Sequence, residues 1–245
     1  MMIVVVALSA MLAATVQATA GLGFALIVTP VLFLEMAPAG AIVTATLLGI
    51  LLNLLVLFAE PRRPAPVWHE ILPVLAAAIP GAACGLVLLA SLPRPVLQLI
   101  VGTVVIVAGL MRTRAPIRRR GKRGGRSRLA LGWTVGALST STGINGPPLA
   151  LWLAGQGLSP AQLRDSLSTA FLGIGIIATL TIVPIVGHAR IGAGTIAGAA
   201  AGVLAGHAVG SRLFPRLPAT RYERLLLLII LTAGAVSLVA GATSL

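Results

Sequence analysis

The chain has 245 residues, of which 58% are hydrophobic and only 9% charged, against roughly 25% charged in an ordinary soluble domain. Apolar runs of about 18 residues or more, the length that crosses a bilayer, recur along the whole chain. A soluble domain could not hide so much apolar surface, so the composition predicts an all-α polytopic membrane protein; the expected location is the cell inner (plasma) membrane.

In chain order, hydrophobic segments are predicted at about 2–34, 38–59, 71–91, 94–111, 129–157, 160–186, 190–212 and 222–243, eight in all. The first begins "MMIVVVALSAMLAATVQATA", an apolar core followed by small residues, as in a signal peptide. No positive charge precedes it, so it is expected to stay as a membrane segment. Trp68, Trp133, Trp152 and Tyr222 fall near segment ends, where amphipathic rings favour the membrane interface. Cys84, the only cysteine, lies in an apolar run, so no intrachain disulfide can form.

The net charge of +13 is concentrated: nine of the eighteen basic residues lie between Arg112 and Arg128, with no acid among them. Beside apolar helices such a block reads as a cytoplasmic loop that sets topology and meets anionic lipid headgroups; no nucleic-acid partner is expected. It separates a first unit, 1–111, from a second, 129–245.

The two units repeat each other. Gly21, Pro38, Thr44 and Thr46 recur 122 positions later as Gly143, Pro160, Ser166 and Ser168, and Gly81 and Gly85 recur 121 later as Gly202 and Gly206. Each unit opens with an interrupted segment, then a proline-initiated helix and two more helices. The first segment, 33 residues long, would measure about 50 Å as one helix, too long for a core about 30 Å thick. If the basic loop is cytoplasmic and each interrupted segment enters and returns, Arg62, Arg63, Arg164, Arg212, Arg216, Arg221 and Arg224 all lie inside, and Arg94 and Arg190 outside. The repeats then begin on opposite faces and are inverted. Membrane repeats are chiefly a transporter feature, with substrate held where they meet.

The interruptions are "TAGLGFALIVTPVLFL", with Gly21 and Gly23, and "STSTGINGPPLALWL", with Gly143 and Gly146. Glycine frees the backbone, while Pro147 and Pro148 remove N–H donors and suit the first turn of a new half-helix. Non-helical backbone at membrane depth must be buried in protein or line a wet cavity. Helix N-termini carry partial positive charge and suit an anion. Ser139, Thr140, Ser141, Thr142 and Asn145 add side-chain hydrogen-bonding groups at the second break; small residues that merely let helices approach are the alternative reading.

Gln17 precedes the first break and either lines it or bonds to a neighbouring helix. Asn53 is a costly polar residue unless paired. Thr44, Thr46, Ser166, Ser168 and Thr169 are further candidates. Arg164 either offers a guanidinium fork to an anion, or snorkels to the headgroups or pairs with Asp165 beside it. The substrate site is thus expected among Gln17, Gly21, Gly23, Thr46, Asn53, Thr140, Ser141, Thr142, Gly143, Asn145, Gly146, Arg164 and Ser168. His207, within a segment, reads as a packed neutral histidine, and no catalytic residue, metal or cofactor is expected.

"GLGFALIVTPVLFL" and "GINGPPLALWLAGQGLSPAQLRDSLSTAFL" resemble the two signature regions of the TauE/SafE family of sulfite and organosulfonate exporters, also called 4-toluene sulfonate uptake permeases. The resemblance covers nearly the whole chain. In the family the second break usually reads Gly-x-Gly-Gly-Pro, and Asn145 replaces the first glycine of the pair. Phe24 and Ala25 stand where many members carry further glycines. Arg164 matches an arginine that typically follows the second motif. The resemblance implies secondary transport of small sulfur-containing anions. Another small anion such as a carboxylate, an anion channel, and an intramembrane hydrolase using Ser139 or Ser141 are the alternatives, and a homodimer is compatible with the sequence.

Overall fold

The computed structural model describes residues 2–33, 38–91, 125–143, 145–186 and 193–243, with isolated positions between 95 and 110. All regular structure among them is helical: α1 (Met2–Ala20), α2 (Phe24–Phe33), α3 (Pro38–Phe58), α4 (Trp68–Ser91), α5 (Gly125–Ser141), α6 (Gly146–Ala154), α7 (Pro160–Val186), α8 (Ala193–Leu213) and α9 (Ala219–Thr243). A short 3₁₀ turn, Phe214–Arg216, joins α8 to α9. Pro38 and Pro160 open α3 and α7, where a missing N–H costs nothing. The segment expected at 94–111 and residues 112–124 of the basic loop fall outside the described residues, apart from the isolated positions.

Two boundaries differ from expectation. α4 begins at Trp68 rather than 71, and α5 at Gly125, so the end of the basic loop is helical. One ion pair accounts for both. Arg128 on α5 donates twice to the buried Glu70 carboxylate on α4, both at 2.9 Å, and the Trp152 indole N–H adds a third bond at 3.2 Å. A carboxylate so satisfied fixes the first turns of both helices.

The matched glycines set the packing. A Cβ on Gly81 or Gly85 of α4 would lie 2.2 Å from the carbonyl oxygen of Trp133 or Ala137 on α5. On α8, a Cβ on Gly202 or Gly206 would lie 2.2 Å from the carbonyl oxygen of Ala7 or Met11 on α1. Backbones that close need glycine, the small-residue packing by which helices associate in lipid. The Thr140 hydroxyl seals the first contact by donating to Ala82 O at 2.8 Å.

Both pairs cross between the two units and both run parallel. α3 and α7 pack antiparallel: Arg164 at the start of α7 meets Glu60 just past the end of α3, while Gly175 meets Thr46 and Ile50. Two cores result. One gathers Val6, Ala10, Val28, Leu48 and Val203 from α1, α2, α3 and α8; the other gathers Val74, Val135, Leu149, Leu167 and Ile174 from α4, α5, α6 and α7. The second core also takes in Leu22 of the first break and Tyr222 of α9, so each core joins elements of both units.

The exterior is apolar, with Leu8, Phe58, Ile79, Leu180 and Leu228 all exposed. Five helical stretches, Ile3–Ala20, Gly40–Phe58, Trp68–Leu88, Pro160–Pro184 and Thr220–Thr243, are long and apolar enough to cross a membrane. An apolar outer surface on so many spanning-length helices is the surface of an integral membrane protein.

Candidate functional site

The two breaks share one backbone device. Gly21 and Gly143, 122 residues apart, adopt left-handed φ values of 85° and 73°. Two positions on, the breaks diverge: Gly23 has φ 122°, but Asn145 has φ −115°, which any residue adopts. Asparagine therefore fits where the family pattern has glycine, without strain.

Between the breaks lies a cavity of about 70 Å³, room for a few water molecules or a small anion. The first break and start of α2 line it with Gly23, Phe24, Ala25 and Leu26; the second contributes Gly143, Asn145 and Gly146. α3 adds Ile42, Ala45, Thr46, Gly49 and Asn53, and α7 adds Phe171 and Gly175. Gln17 and Ser139, on the last turns of α1 and α5, complete the wall. The breaks touch here, because a Cβ on Gly146 would stand 3.6 Å from Phe171 and 3.8 Å from Leu22.

The polar lining is hydrogen-bonded yet retains donors. The Gln17 amide N–H donates to Asn53 Oδ1 at 3.0 Å, and Gln17 Oε1 accepts the Phe24 N–H at 3.1 Å. Gln17 thus lines the cavity and also bonds to a neighbouring helix. Asn53 Nδ2 donates to Gly49 O at 2.8 Å, and Asn145 Nδ2 to Ser139 Oγ at 3.1 Å. Each primary amide carries two N–H groups, so these bonds account for half of the amide donors. Among the described residues, none that lines the cavity is charged. The start of α6 supplies fewer donors than a helix N-terminus usually does, because Pro147 and Pro148 occupy its first turn.

Of the residues predicted for the site, Gln17, Gly23, Thr46, Asn53, Gly143, Asn145 and Gly146 meet at the cavity. Gly21 does not; it packs against Leu167 and Tyr222 and the Arg164 backbone. The hydroxyls expected around an anion also turn elsewhere. Thr140 bonds to α4, Ser141 donates to Ala137 O at 2.7 Å, and Thr142 donates to Leu138 O at 2.9 Å. A hydroxyl on a helix in an apolar setting satisfies itself on the preceding turn when nothing better is in reach. Ser168 is fully buried outside the lining. Neither Ser139 nor Ser141 is hydrogen-bonded to a histidine among the described residues.

The largest departure is Arg164. It is fully buried, and its guanidinium forks onto Glu60 rather than pairing with neighbouring Asp165, with one N–O distance of 3.0 Å and a second, shorter contact. Its Cζ lies 4.3 Å from the Phe214 ring centroid, a cation–π contact. Asp165 is claimed by Arg62, at 2.7 and 2.6 Å, and by the Ala65 N–H at 2.9 Å. Arg62 also reaches Glu60 at 3.0 Å. The hydrogen bonds that Arg62 donates to the Asp165 carboxylate raise its pKa above the usual value. A cation held in a bidentate carboxylate pair is neutralised toward any other anion.

Glu60 lies in the Pro/Arg-rich break "EPRRPAP", which carried no site residue in the sequence reading. The lining residues Ile42, Ala45, Gly49, Phe171 and Gly175 were also missed. The repeat offset points to one of them, Gly175, as the equivalent of Asn53, whereas Gly49 and Phe171 are equivalents of each other.

A helical bundle with an apolar exterior and an uncharged polar cavity where two broken helices meet defines a polytopic integral membrane protein. The chain belongs to the TauE/SafE sulfite exporter family, whose model matches residues 6–237. No curated protein and no solved structure matches it significantly. Membership implies a membrane transporter of sulfur anions such as sulfite, and the family is one of transporters rather than enzymes.

Proposed function

We propose that the protein moves a small sulfur oxyanion or sulfonate across the membrane by alternating access, holding it in the cavity between the two breaks. The observation that carries this reading is the cavity's uncharged wall, in which the Gln17, Asn53 and Asn145 amides each keep an N–H beyond the one already bonded. Such donors stabilise an anion without the strong pairing to a cation that would slow its release. Inverted repeats are part of the proposal. They are supported by the antiparallel packing of the equivalent helices α3 and α7, and by cores that each join elements of both units.

The end of the bundle carrying Arg62, Arg128, Arg164 and the Phe214–Arg216 turn is assigned to the cytoplasm by the positive-inside tendency. Single cysteines at 94 and 216, in a protein whose Cys84 is replaced by Ala, should label from opposite sides of sealed vesicles. Labelling of both from one side would overturn the topology.

The substrate class is tested by thermal shift of the purified protein with sulfite, thiosulfate, sulfate, taurine, sulfoacetate and matched carboxylates. Sulfur anions should raise Tm at millimolar concentration, by mass action on the folded state, while carboxylates should not. Equal stabilisation by both sets would make this a general anion carrier.

A further inference from the structure

The cavity breaks the symmetry of its own lining. Ten of its residues form equivalent pairs at the 122-residue offset: Gln17 with Ser139, Gly23 with Asn145, Phe24 with Gly146, Gly49 with Phe171, and Asn53 with Gly175. The other six are Ala25, Leu26, Ile42, Ala45, Thr46 and Gly143. Their equivalents Pro147, Pro148, Arg164, Leu167, Ser168 and Gly21 are all excluded from the lining. The cavity is therefore centred on the equivalence but extends only toward the N-terminal end of α3.

The excluded side is sealed. Arg164 and Ser168 are fully buried, and Leu167 and the Arg164 backbone press on Gly21, where a Cβ would meet them at 3.1 and 3.3 Å. Over this seal sits the cluster of Glu60, Arg62, Arg164 and Asp165, closed by Phe214. At the opposite end the positions equivalent to Arg164 and Glu60 are Ile42 and Ile182, so no ion pair can form there. Two buried polar atoms on the sealed side, Arg164 Nε and Ser168 Oγ, have no hydrogen-bond partner among the described residues. An unsatisfied buried polar group is costly, and both belong to residues whose equivalents face the cavity or its rim.

We propose that the structure is one of two states, and that the four-residue ion cluster is the gate. When Glu60 releases Arg164, the α7 side opens, and Arg164 and Ser168 take the places in the lining that Ile42 and Thr46 hold now. The anion then meets a guanidinium on that side only, which makes the two half-sites chemically unequal. This rests on the alternating-access reading above.

The test uses full-length protein with Cys84→Ala and either Thr46→Cys or Ser168→Cys, reacted with a charged methanethiosulfonate reagent. In the otherwise unchanged protein, Thr46→Cys should react at least tenfold faster than Ser168→Cys. Adding Glu60→Gln should raise the Ser168→Cys rate tenfold or more and lower the Thr46→Cys rate. An unchanged Ser168→Cys rate, or both rates rising together as in general loosening, would overturn the gate. Should Glu60→Gln fail to elute as a single species, Asp165→Asn tests the same cluster with the same expected direction. Protection of Thr46→Cys by methanesulfonate is scored separately. Reciprocal rates without protection keep the gate and remove the sulfonate reading; protection without reciprocal rates does the reverse.

Discussion

Asn145→Leu should abolish transport and weaken substrate binding roughly ten- to hundredfold while the protein still folds. Losing one hydrogen bond to a charged group costs about 1.5–3 kcal/mol, which is that factor in affinity. The substitution removes an amide from the cavity wall, leaves Ser139 Oγ without its donor, and sets a branched apolar chain in a space of about 70 Å³. Folding should survive for two reasons. The backbone there has an ordinary φ of −115°, and the Asn145 side chain makes no capping bond to α6 that could be lost. Gly146→Val should be worse. Its Cβ would sit in ordinary contact, 3.6 Å from Phe171 and 3.8 Å from Leu22, but the two methyl groups beyond it must enter the cavity. Calorimetry on detergent-purified variants that elute as single species is the measurement. Parental affinity in both variants would move the site away from the break.

Gly206→Leu should cost the fold itself. The new Cβ would stand 2.2 Å from Met11 O and 2.8 Å from the Ala14 Cβ, so α1 and α8 would have to separate by about 1 Å along their contact. Overpacking a core costs about 1–3 kcal/mol when side chains can shift, and a backbone carbonyl has far less room to yield. The expected outcome is aggregation or a large fall in Tm, read by size-exclusion profile and thermal melt in detergent. Gly125→Ala is the control, because nothing lies within 4 Å of the added Cβ. A Gly206→Leu protein that melts with the parent would mean that α1 and α8 do not pack as described.

Local chemistry was legible without coordinates. Membrane class follows from apolar content, which no arrangement of the chain can alter. The breaks at Gly21–Gly23 and around Gly143–Pro148 follow from residues whose backbone limits travel with them, as do the helix starts at Pro38 and Pro160. The repeat offset even held most of the cavity wall. Partner choice was not legible. Sequence adjacency suggested Arg164 with Asp165, but residues on successive positions of a helix point apart, and the loop after α3 brings Glu60 and Arg62 to them instead. Likewise the hydroxyls of Thr140, Ser141 and Thr142 could have faced an anion, and only the close approach of α4 and the reach of each preceding turn turned them away. Composition and backbone chemistry determined that the helices break and where; which buried charge meets which, and which residues line the cavity, depends on contacts between residues about a hundred positions apart, and only the tertiary structure decided those.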